Sequence, residues 1–204
     1  MSARLIAEQL QSDLASDLIG RKIIVLDQVG STNDAILQIA STNSKEGLVV
    51  FAEHQTAGRG QRGNRWESPP GKGLCFSILL RPLIALANSP ELTAWAAKSV
   101  SDTIQNEFGL TSTIKAPNDV EINGGKVAGV LVEMKAQQKT PHLAIVGIGV
   151  NLNQSPEDFP KELRHRAISI AAVLGKEVDH QSFAVVLLRE LDRTYRDKFV
   201  TANL

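Results

Sequence analysis

The chain has 204 residues and a mass of 22.1 kDa, the size of one domain or of one domain with a small appendage. Apolar residues make up 43% of it, which excludes a largely disordered chain. Lys plus Arg and Asp plus Glu balance at 22 each, which argues against binding nucleic acid or membranes through bulk charge. A single cysteine, Cys75, excludes an internal disulfide framework. With no signal peptide and no apolar run of roughly 18 residues, we expect a soluble, cytoplasmic protein.

The predicted elements mix helices and strands. Leucines at helical spacing predict an opening helix that ends at Gly20, and a strand follows over 22–29. Ser31 and Asp34 resemble a capping box, which predicts a second helix after them. Further strands are predicted over 47–54, 74–81, 112–116, 119–122, 126–135 and 142–153, with a polar turn over 137–141, and further helices over 89–109, 169–175 and 180–199.

This order of elements favours an α+β fold with a mixed, largely antiparallel central sheet and helices packed on one face. In the helix over 89–109, Ser89 is a candidate cap, Trp95 lies on the apolar stripe and Gly109 ends the helix. We therefore expect Trp95 to belong to the core. Asn123 and Gly124 predict a tight hairpin turn.

A long segment over 55–73 is rich in glycine and cations and poor in apolar residues. Residues 58–63 match the spacing G-x-G-x-x-G, but no helix leads out and no acidic residue follows at the distance that a dinucleotide site requires. Glycine N–H groups and the guanidinium of Arg59 could instead bind phosphate, with Trp66 as a lid over an aromatic ring such as a purine. The alternative is a solvated basic loop that Trp66 anchors to the core.

A second cluster, over 115–119, joins a cation, a rigid bend, an amide and a carboxylate just before a strand. Lys115 could neutralise a carboxylate or an α-phosphate, and Asn118 or Asp119 could meet a metal or a ribose. Taken alone, the segment favours a plain turn with a solvated lysine.

Glycines also interrupt two apolar strands, at Gly129 and at Gly147 and Gly149. Such glycines mark the close approach of a ligand or of another part of the chain, or else β-bulges. The four histidines lack metal-ligand spacing, which makes a zinc site improbable. The sequence contains neither a G-x-S-x-G motif nor a Walker A motif.

Taken together and in this order, five segments closely resemble biotin–protein ligases, and the resemblance extends from about residue 22 to residue 155. The segments are Ser31–Asn33, Glu53–Pro69, Lys115–Asp119, Gly125–Leu131 and Gly147–Asn151. The resemblance implies the class II synthetase-like fold of the biotin–lipoate ligase catalytic domain. It also implies a two-step reaction, in which biotin and MgATP give biotinyl-5′-AMP and pyrophosphate. A lysine of a biotin carboxyl carrier domain, as in acetyl-CoA carboxylase, then accepts the biotin and AMP leaves.

The resemblance implies roles for individual residues. The implied biotin site comprises Ser31, Thr32, Asn33, Gln55, Arg59, Gly60, Gln61, Lys115 and Gly129. The implied ATP and adenylate site comprises Arg59, Gln61, Arg62, Trp66, Asn118, Lys126 and Asn151. Three cations are implied as catalytic, namely Arg59, Lys115 and Lys126. ATP and Mg²⁺ would act as co-substrate and metal, with Asn118 or Asp119 near the metal and with no tightly bound cofactor.

The sequence departs from the family pattern at Ala116, where a tryptophan is usual, and at Gln61, where many relatives carry arginine. We expect residues 1–204 to form a single catalytic domain. The usual C-terminal β-barrel and an N-terminal helix-turn-helix are both expected to be absent, so we expect no DNA binding. Pairing of two copies through an exposed sheet edge stays open. The rival functions are a lipoate–protein ligase or octanoyltransferase, and a non-catalytic binder of biotin or biotinyl-AMP.

Overall fold

A computed structural model describes residues 4–40, 44–137 and 141–200. Its strands are β1 Lys22–Val29, β2 Leu48–Gln55, β3 Gly73–Leu80, β4 Thr113–Lys115, β5 Asp119–Ile122, β6 Gly125–Lys135 and β7 Leu143–Asn151. They form a seven-stranded sheet in the order β1-β2-β3-β7-β6-β5-β4. Strands β1 and β2 are parallel, and the other neighbouring strands are antiparallel. The prediction of a mixed, largely antiparallel sheet is confirmed.

The helices are α1 Ala7–Leu14, α2 Thr32–Ile39, α3 Ser89–Phe108, α4 Ile170–Leu174 and α5 His180–Tyr195, and α5 runs on into a π-helical turn over Arg196–Val200. The prediction that the first helix extends to Gly20 is wrong. Ala15 adopts a left-handed conformation with φ of 46°, which ends α1. Beyond it, Asp192 accepts hydrogen bonds from the backbone N–H groups of Leu18 at 2.9 Å and Ile19 at 2.7 Å, which holds that segment outside the helix.

Helices cover both faces of the sheet, whereas the prediction placed them on one face only. Helices α1, α3 and α5 pack on one face, as expected, but α2 packs on the opposite face against Val50, Leu79 and Ile145. The reason lies in the central strands, because every residue of the run 48–52 is buried. Successive side chains of a strand point to opposite faces, so a continuous apolar run needs a cover on each side.

The core tryptophan, the end of α3 and the hairpin turn that the sequence predicts are all present in the structure. Trp95 is 5% exposed and donates its indole N–H to Thr194 at 2.8 Å, which confirms it as a core residue. Gly109 ends α3 with φ of 67°, as predicted, but Ser89 is the first residue of the helix, and Asn88 occupies the N-cap position without a side-chain hydrogen bond to the helix. Asn123 and Gly124 have φ values of 52° and 79°, which confirms the tight turn.

Two further observations depend on the limits of the described residues. The polar turn predicted over 137–141 lies mostly outside them, since residues 138–140 are not described. Among the helices of residues 4–40, 44–137 and 141–200, none combines the length and the apolar character that a membrane crossing needs.

Candidate functional site

The face of the sheet that α2 covers contains a trough of small residues. Residues in register on neighbouring strands project to the same face, and β7 places Gly149 between Cys75 and Gly129 in this way. Gly147 lies two residues before Gly149 and therefore faces the same side. The β3–β7 and β6–β7 registers run without a shift through the glycines, so the alternative that they mark bulges is wrong for Gly147 and Gly149, whereas the β5–β6 register shifts between Val120 and Glu121, close to Gly129. Their missing side chains leave room above the sheet.

The indole of Trp66 fills one end of the trough. A Cβ atom on Gly149 would overlap the indole, and a Cβ atom on Gly129 would lie 3.2 Å from its Cζ3 atom. The Nζ atom of Lys126 lies 5.5 Å from the centroid of the indole ring, within the range of a cation–π interaction. Trp66 therefore anchors its loop to the sheet, as one of the two alternatives for this segment proposes.

The loop that carries Trp66 is closed by its own backbone, and we call residues 58–66 the arginine hairpin. Arg59 and Arg65 face each other as an antiparallel bridge, the N–H of Gly60 donates to Asn64 at 2.7 Å, and the N–H of Trp66 donates to Gly58 at 3.0 Å. Gly58 is required here because a Cβ atom on it would lie 2.5 Å from the carbonyl oxygen of Trp66. The segment is thus a small ordered hairpin.

A buried polar network fills the other end of the trough. A Cβ atom on Gly147 would overlap the side-chain oxygen of Asn33. The hydroxyl oxygen of Ser77 lies 2.6 Å from that same oxygen and 2.8 Å from the hydroxyl of Thr32. The side-chain oxygen of Gln55 accepts hydrogen bonds from the backbone N–H of Thr32 at 2.8 Å and from its hydroxyl at 3.1 Å. The network therefore orients each amide at the base of the site.

Arg59 links this network to the hairpin. Its guanidinium forms ion pairs with Asp34 and, at 3.1 Å, with Glu133. The hydrogen bond to Asp34 is the main reason why the pKa of Arg59 is raised above its ordinary value. Because Asp34 is engaged in this way, the predicted capping box is wrong. Ser31 precedes α2 in extended conformation, and its side chain accepts no hydrogen bond from the helix.

The first cavity opens above the trough and, with the solvent space at its mouth, spans about 410 Å³. Among the predicted residues, it is lined by Ser31, Thr32, Asn33, Gln55, Arg59, Gly60, Trp66, Asn118, Lys126 and Gly129. Leu131, which carried no prediction, faces the same side as the trough glycines and adds an aliphatic side chain to its wall, whereas the side chains of Val130 and Ile148 pack in the core on the opposite face of the sheet. All five motif segments thus contribute residues to this cavity. The fifth segment does so through its two glycines, Gly147 and Gly149.

A second cavity, of about 1140 Å³, shares Trp66 and Lys126 with the first. Lys115 and Asn151 line it, and neither lines the first cavity. The side chain of Lys115 is 69% exposed and pairs with Glu121 at 3.0 Å, so the solvated-lysine alternative describes it well. Lys126, by contrast, is held between the two cavities and pairs with Asp119 at 2.6 Å.

The remaining predicted residues brace the site or lie beside it. The side-chain N–H of Asn118 donates to the carbonyl of Val130 at 3.1 Å, and that of Asn151 donates to the carbonyl of Lys126 at 3.2 Å. Gln61 and Arg62 form the 3₁₀ turn at the tip of the arginine hairpin and line neither cavity.

Two residues of the network, Ser77 and Glu133, carried no prediction. Each places a polar group on a strand that is otherwise largely apolar, and that is the one signal the sequence offers for them. Cys75 is also buried beneath this site, with its thiol 3.5 Å from the hydroxyl of Ser68, and burial raises its pKa.

The sequence matches the biotin/lipoate A/B protein ligase family over residues 25–151. It is 37% identical over 194 residues to the bifunctional ligase/repressor BirA of Bacillus subtilis, a match that covers 95% of this chain and 60% of that protein. It is 32% identical over 192 residues to a biotin–[acetyl-CoA-carboxylase] ligase of Mycobacterium tuberculosis, with coverage of 89% and 69%. The chain therefore spans about 60% of the length of the Bacillus relative.

Solved structures agree with these sequence matches. A biotin protein ligase from Aquifex aeolicus, in complex with biotin and ATP, aligns with a TM-score of 0.72 at 30% identity, covering 88% of this chain and 73% of that one. The matched span of 25–151 includes the arginine hairpin, Lys126 and all three trough glycines. By sequence, by fold and by the residues that build its two cavities, the chain belongs to the biotin/lipoate A/B protein ligase family.

Proposed function

We propose that this chain is the catalytic unit of an ATP-dependent biotin–protein ligase. It would activate biotin to biotinyl-5′-AMP and transfer the biotin to a lysine of a biotin carboxyl carrier domain. The observation that carries the proposal is the pair of adjoining cavities, one with a buried polar base and one lined by four cations and four carboxylates, with Trp66 and Lys126 in their shared wall. The Aquifex relative in complex with biotin and ATP supports the choice of ligands.

The base of the first cavity suits the ureido ring of biotin. That ring presents one carbonyl and two N–H groups, and the amides and hydroxyls of Asn33, Thr32 and Ser31 supply both donors and acceptors. Leu131 would contact the bicycle and the valeryl chain. The dithiolane ring of lipoate has no donor or acceptor that could exchange hydrogen bonds with this base, whose side chains pair with one another in the structure. The network therefore favours biotin over lipoate or octanoate.

In the first step, a carboxylate oxygen of biotin attacks the α-phosphorus of ATP. A carbon–oxygen–phosphorus anhydride forms, and the bond from the α-phosphorus to pyrophosphate breaks. Both reactants are anions, so cations near the reacting atoms lower the barrier by offsetting their repulsion. Lys126 lies where the two cavities meet, and we assign it this role together with Arg59 and Lys115. The protein would otherwise act by positioning the reactants.

In the second step, the uncharged amine of the acceptor lysine attacks the acyl carbon of the anhydride. An amide bond forms, the bond from that carbon to the phosphate oxygen breaks, and AMP leaves. Asn151, in the wall of the second cavity, is proposed to face the nucleotide. We propose that Gln61 and Arg62 contribute from the tip of the arginine hairpin.

Magnesium would enter on the phosphates of ATP as part of the co-substrate. Within the described ranges, no group of three or more His, Cys, Asp or Glu side chains is arranged to hold a metal ion. Asp119, one of the two candidates near the metal, is neutralised by Lys126 at 2.6 Å. The donor set thus suits a metal carried by its nucleotide better than a resident metal.

The decisive experiment is ATP-dependent incorporation of labelled biotin into a purified biotin carboxyl carrier domain, with Arg59→Ala as the control. We expect incorporation that requires biotin, ATP and the acceptor lysine. Release of pyrophosphate without incorporation would place a defect in acceptor docking. Biotin binding without either step would favour the non-catalytic binder, and competition by lipoate or octanoate in place of biotin would favour the rival transferase.

A further inference from the structure

Glu133 occupies an unusual position for a carboxylate. On β6 it stands in register with Ile145 of β7, which in turn faces Leu79 of β3, and both of these neighbours are buried. The side chain of Glu133 is 37% exposed, and one of its carboxylate oxygens accepts hydrogen bonds from two partners.

Those partners come from two different parts of the site. The side-chain N–H of Asn33, at the base of the first cavity, donates to Glu133 at 2.6 Å. The guanidinium of Arg59, in the arginine hairpin, donates to the same carboxylate oxygen at 3.1 Å. The other end of the Asn33 amide is held by Ser77 at 2.6 Å, so this amide has little freedom to turn away.

Arg59 has a second anionic partner, Asp34, which follows Asn33 in α2 and whose carboxylate is not among the hydrogen-bond partners of the Asn33 amide, namely Glu133 and Ser77. Asp34 pairs with the guanidinium from α2. Two carboxylates thus hold one cation, but only Glu133 connects that cation to the base of the cavity. This difference makes Asp34 a matched control for Glu133.

We infer that Glu133 is a positioning residue that couples occupancy of the base of the first cavity to the arginine hairpin. The inference rests on the proposed function, in which the ureido ring of biotin binds at Asn33. A ligand that fixes the amide of Asn33 also fixes the carboxylate of Glu133, and the carboxylate then fixes Arg59. Through Arg59 it stabilises the backbone hydrogen bonds that Gly60 and Trp66 form across the hairpin.

The test is hydrogen–deuterium exchange over residues 58–66 of the full chain, with and without saturating biotin and without ATP. In the unaltered protein we expect biotin to slow exchange in this peptide. In Glu133→Gln, biotin should still bind, with affinity reduced by about three- to tenfold for one weakened charge-assisted hydrogen bond, and the slowing of exchange should be lost. In Asp34→Asn the slowing should persist, because the path from Asn33 through Glu133 to Arg59 remains.

Three results would overturn the coupling. One is slowing of exchange in Glu133→Gln equal to that in the unaltered protein. Another is an equal loss in Asp34→Asn, which would show that only the charge balance of Arg59 matters. The third is biotin binding to the unaltered chain, measured by calorimetry, with no change in exchange over the hairpin.

Two further measurements separate this inference from other failures. Glu133→Asp keeps the charge but is one methylene shorter, so it should reach one partner at most and should also lose the slowing. Its thermal melt shows whether the fold survives if Glu133→Gln does not fold. Failure of the unaltered chain to bind biotin at all would instead overturn the proposed function, and the coupling with it.

Discussion

Lys126 stands between the two cavities, with its ammonium 2.6 Å from Asp119 and 5.5 Å from the centroid of the Trp66 ring. An ammonium in that position has one carboxylate partner and an aromatic neighbour, and its side chain lines both cavities. Its electrostatic contribution is largest when negative charge develops near it, which is the situation in the first step of the proposed reaction.

We expect Lys126→Gln to lower the rate of biotin-dependent pyrophosphate release by about 10²–10³, the usual effect of removing one group that stabilises developing charge. Biotin affinity should change far less, because the base of the cavity is untouched. Steady-state rates with calorimetric biotin binding would measure both. Lys98→Gln is the matched control, since Lys98 lies on the far face of the sheet in an exposed pair with Asp102. A loss of binding equal to the loss of rate would contradict the assignment.

Ser77 is a second single residue on which the site depends, and it lies inside the protein. Its hydroxyl is within hydrogen-bond distance of both Thr32 and Asn33, and its side chain is fully buried. Ser77→Ala should lower the free energy of unfolding by about 1–3 kcal/mol, because buried polar atoms are left without a partner. It should also weaken biotin binding. Denaturant unfolding and calorimetry would show this, and Ser101→Ala, at a partly exposed position, should change neither by a comparable amount.

At the scale of elements, the site depends on how the arginine hairpin lies against β6 and β7. The indole of Trp66 needs the space that Gly129 and Gly149 leave, so hairpin and sheet are complementary in shape. A glycine on the sheet therefore controls the position of a loop that is distant from it in sequence.

We expect Gly149→Ala to displace Trp66 and with it the arginine hairpin, since the new Cβ atom would overlap the indole ring. Overpacking of this kind costs about 1–3 kcal/mol, and the rate of adenylation should fall by at least about tenfold. Tryptophan fluorescence and pyrophosphate release would report the two effects. Gly30→Ala is the control, because no atom lies within 4 Å of a Cβ atom at that position. Unchanged fluorescence and rate in Gly149→Ala would refute this account of the trough.

Local patterns predicted most of the elements, because strand alternation, helical spacing and turn residues act within a few positions. The strand over 22–29 and the turn at Asn123 and Gly124 are examples. Contacts distant in sequence could not be predicted in this way. The end of α1 depends on Asp192, which lies 174 residues from Leu18 in the chain.

The same distinction applies to the site. Motif order and family resemblance predicted ten residues that line the first cavity. The roles of Ser77 and Glu133 depend on register between strands, which no local pattern reveals. The side chain of Lys115 lies in the second cavity beside Glu121, and its predicted contact with the biotin carboxylate and the reacting phosphate stays a prediction.

At the scale of the whole molecule, stability depends on pH through a buried histidine. His180 begins α5, which packs against α1 and α3, and burial lowers its pKa from the ordinary value of 6.5. The unfolded chain therefore takes up a proton at this residue at a pH where the folded chain does not. Stability must fall as the pH drops below the ordinary value, and the loss stops below the lowered pKa of the folded state.

We expect the free energy of unfolding to decrease as the pH falls below about 6.5, by up to about 1.4 kcal/mol per pH unit. Asp158 and Asp179 have pKa values lowered from 3.8, so their contributions are lost only at more acidic pH. Urea unfolding across this range should show a shallower slope for His180→Gln than for the unaltered chain. His165→Gln, at an exposed position, is the control, and equal slopes in all three proteins would refute the assignment.

Because Cys75 is buried, its reactivity reports how often the structure above it opens. The thiol lies beneath the segment that carries Trp66 and Ser68, and it is the single cysteine of the chain. A disulfide reagent can react with it only after that segment lifts and the thiol ionises. The labelling rate of the unmodified protein therefore measures how often this segment opens above the sheet, and no dye has to be introduced. Slower labelling in the presence of biotin would measure how strongly the ligand stabilises the closed position of this segment.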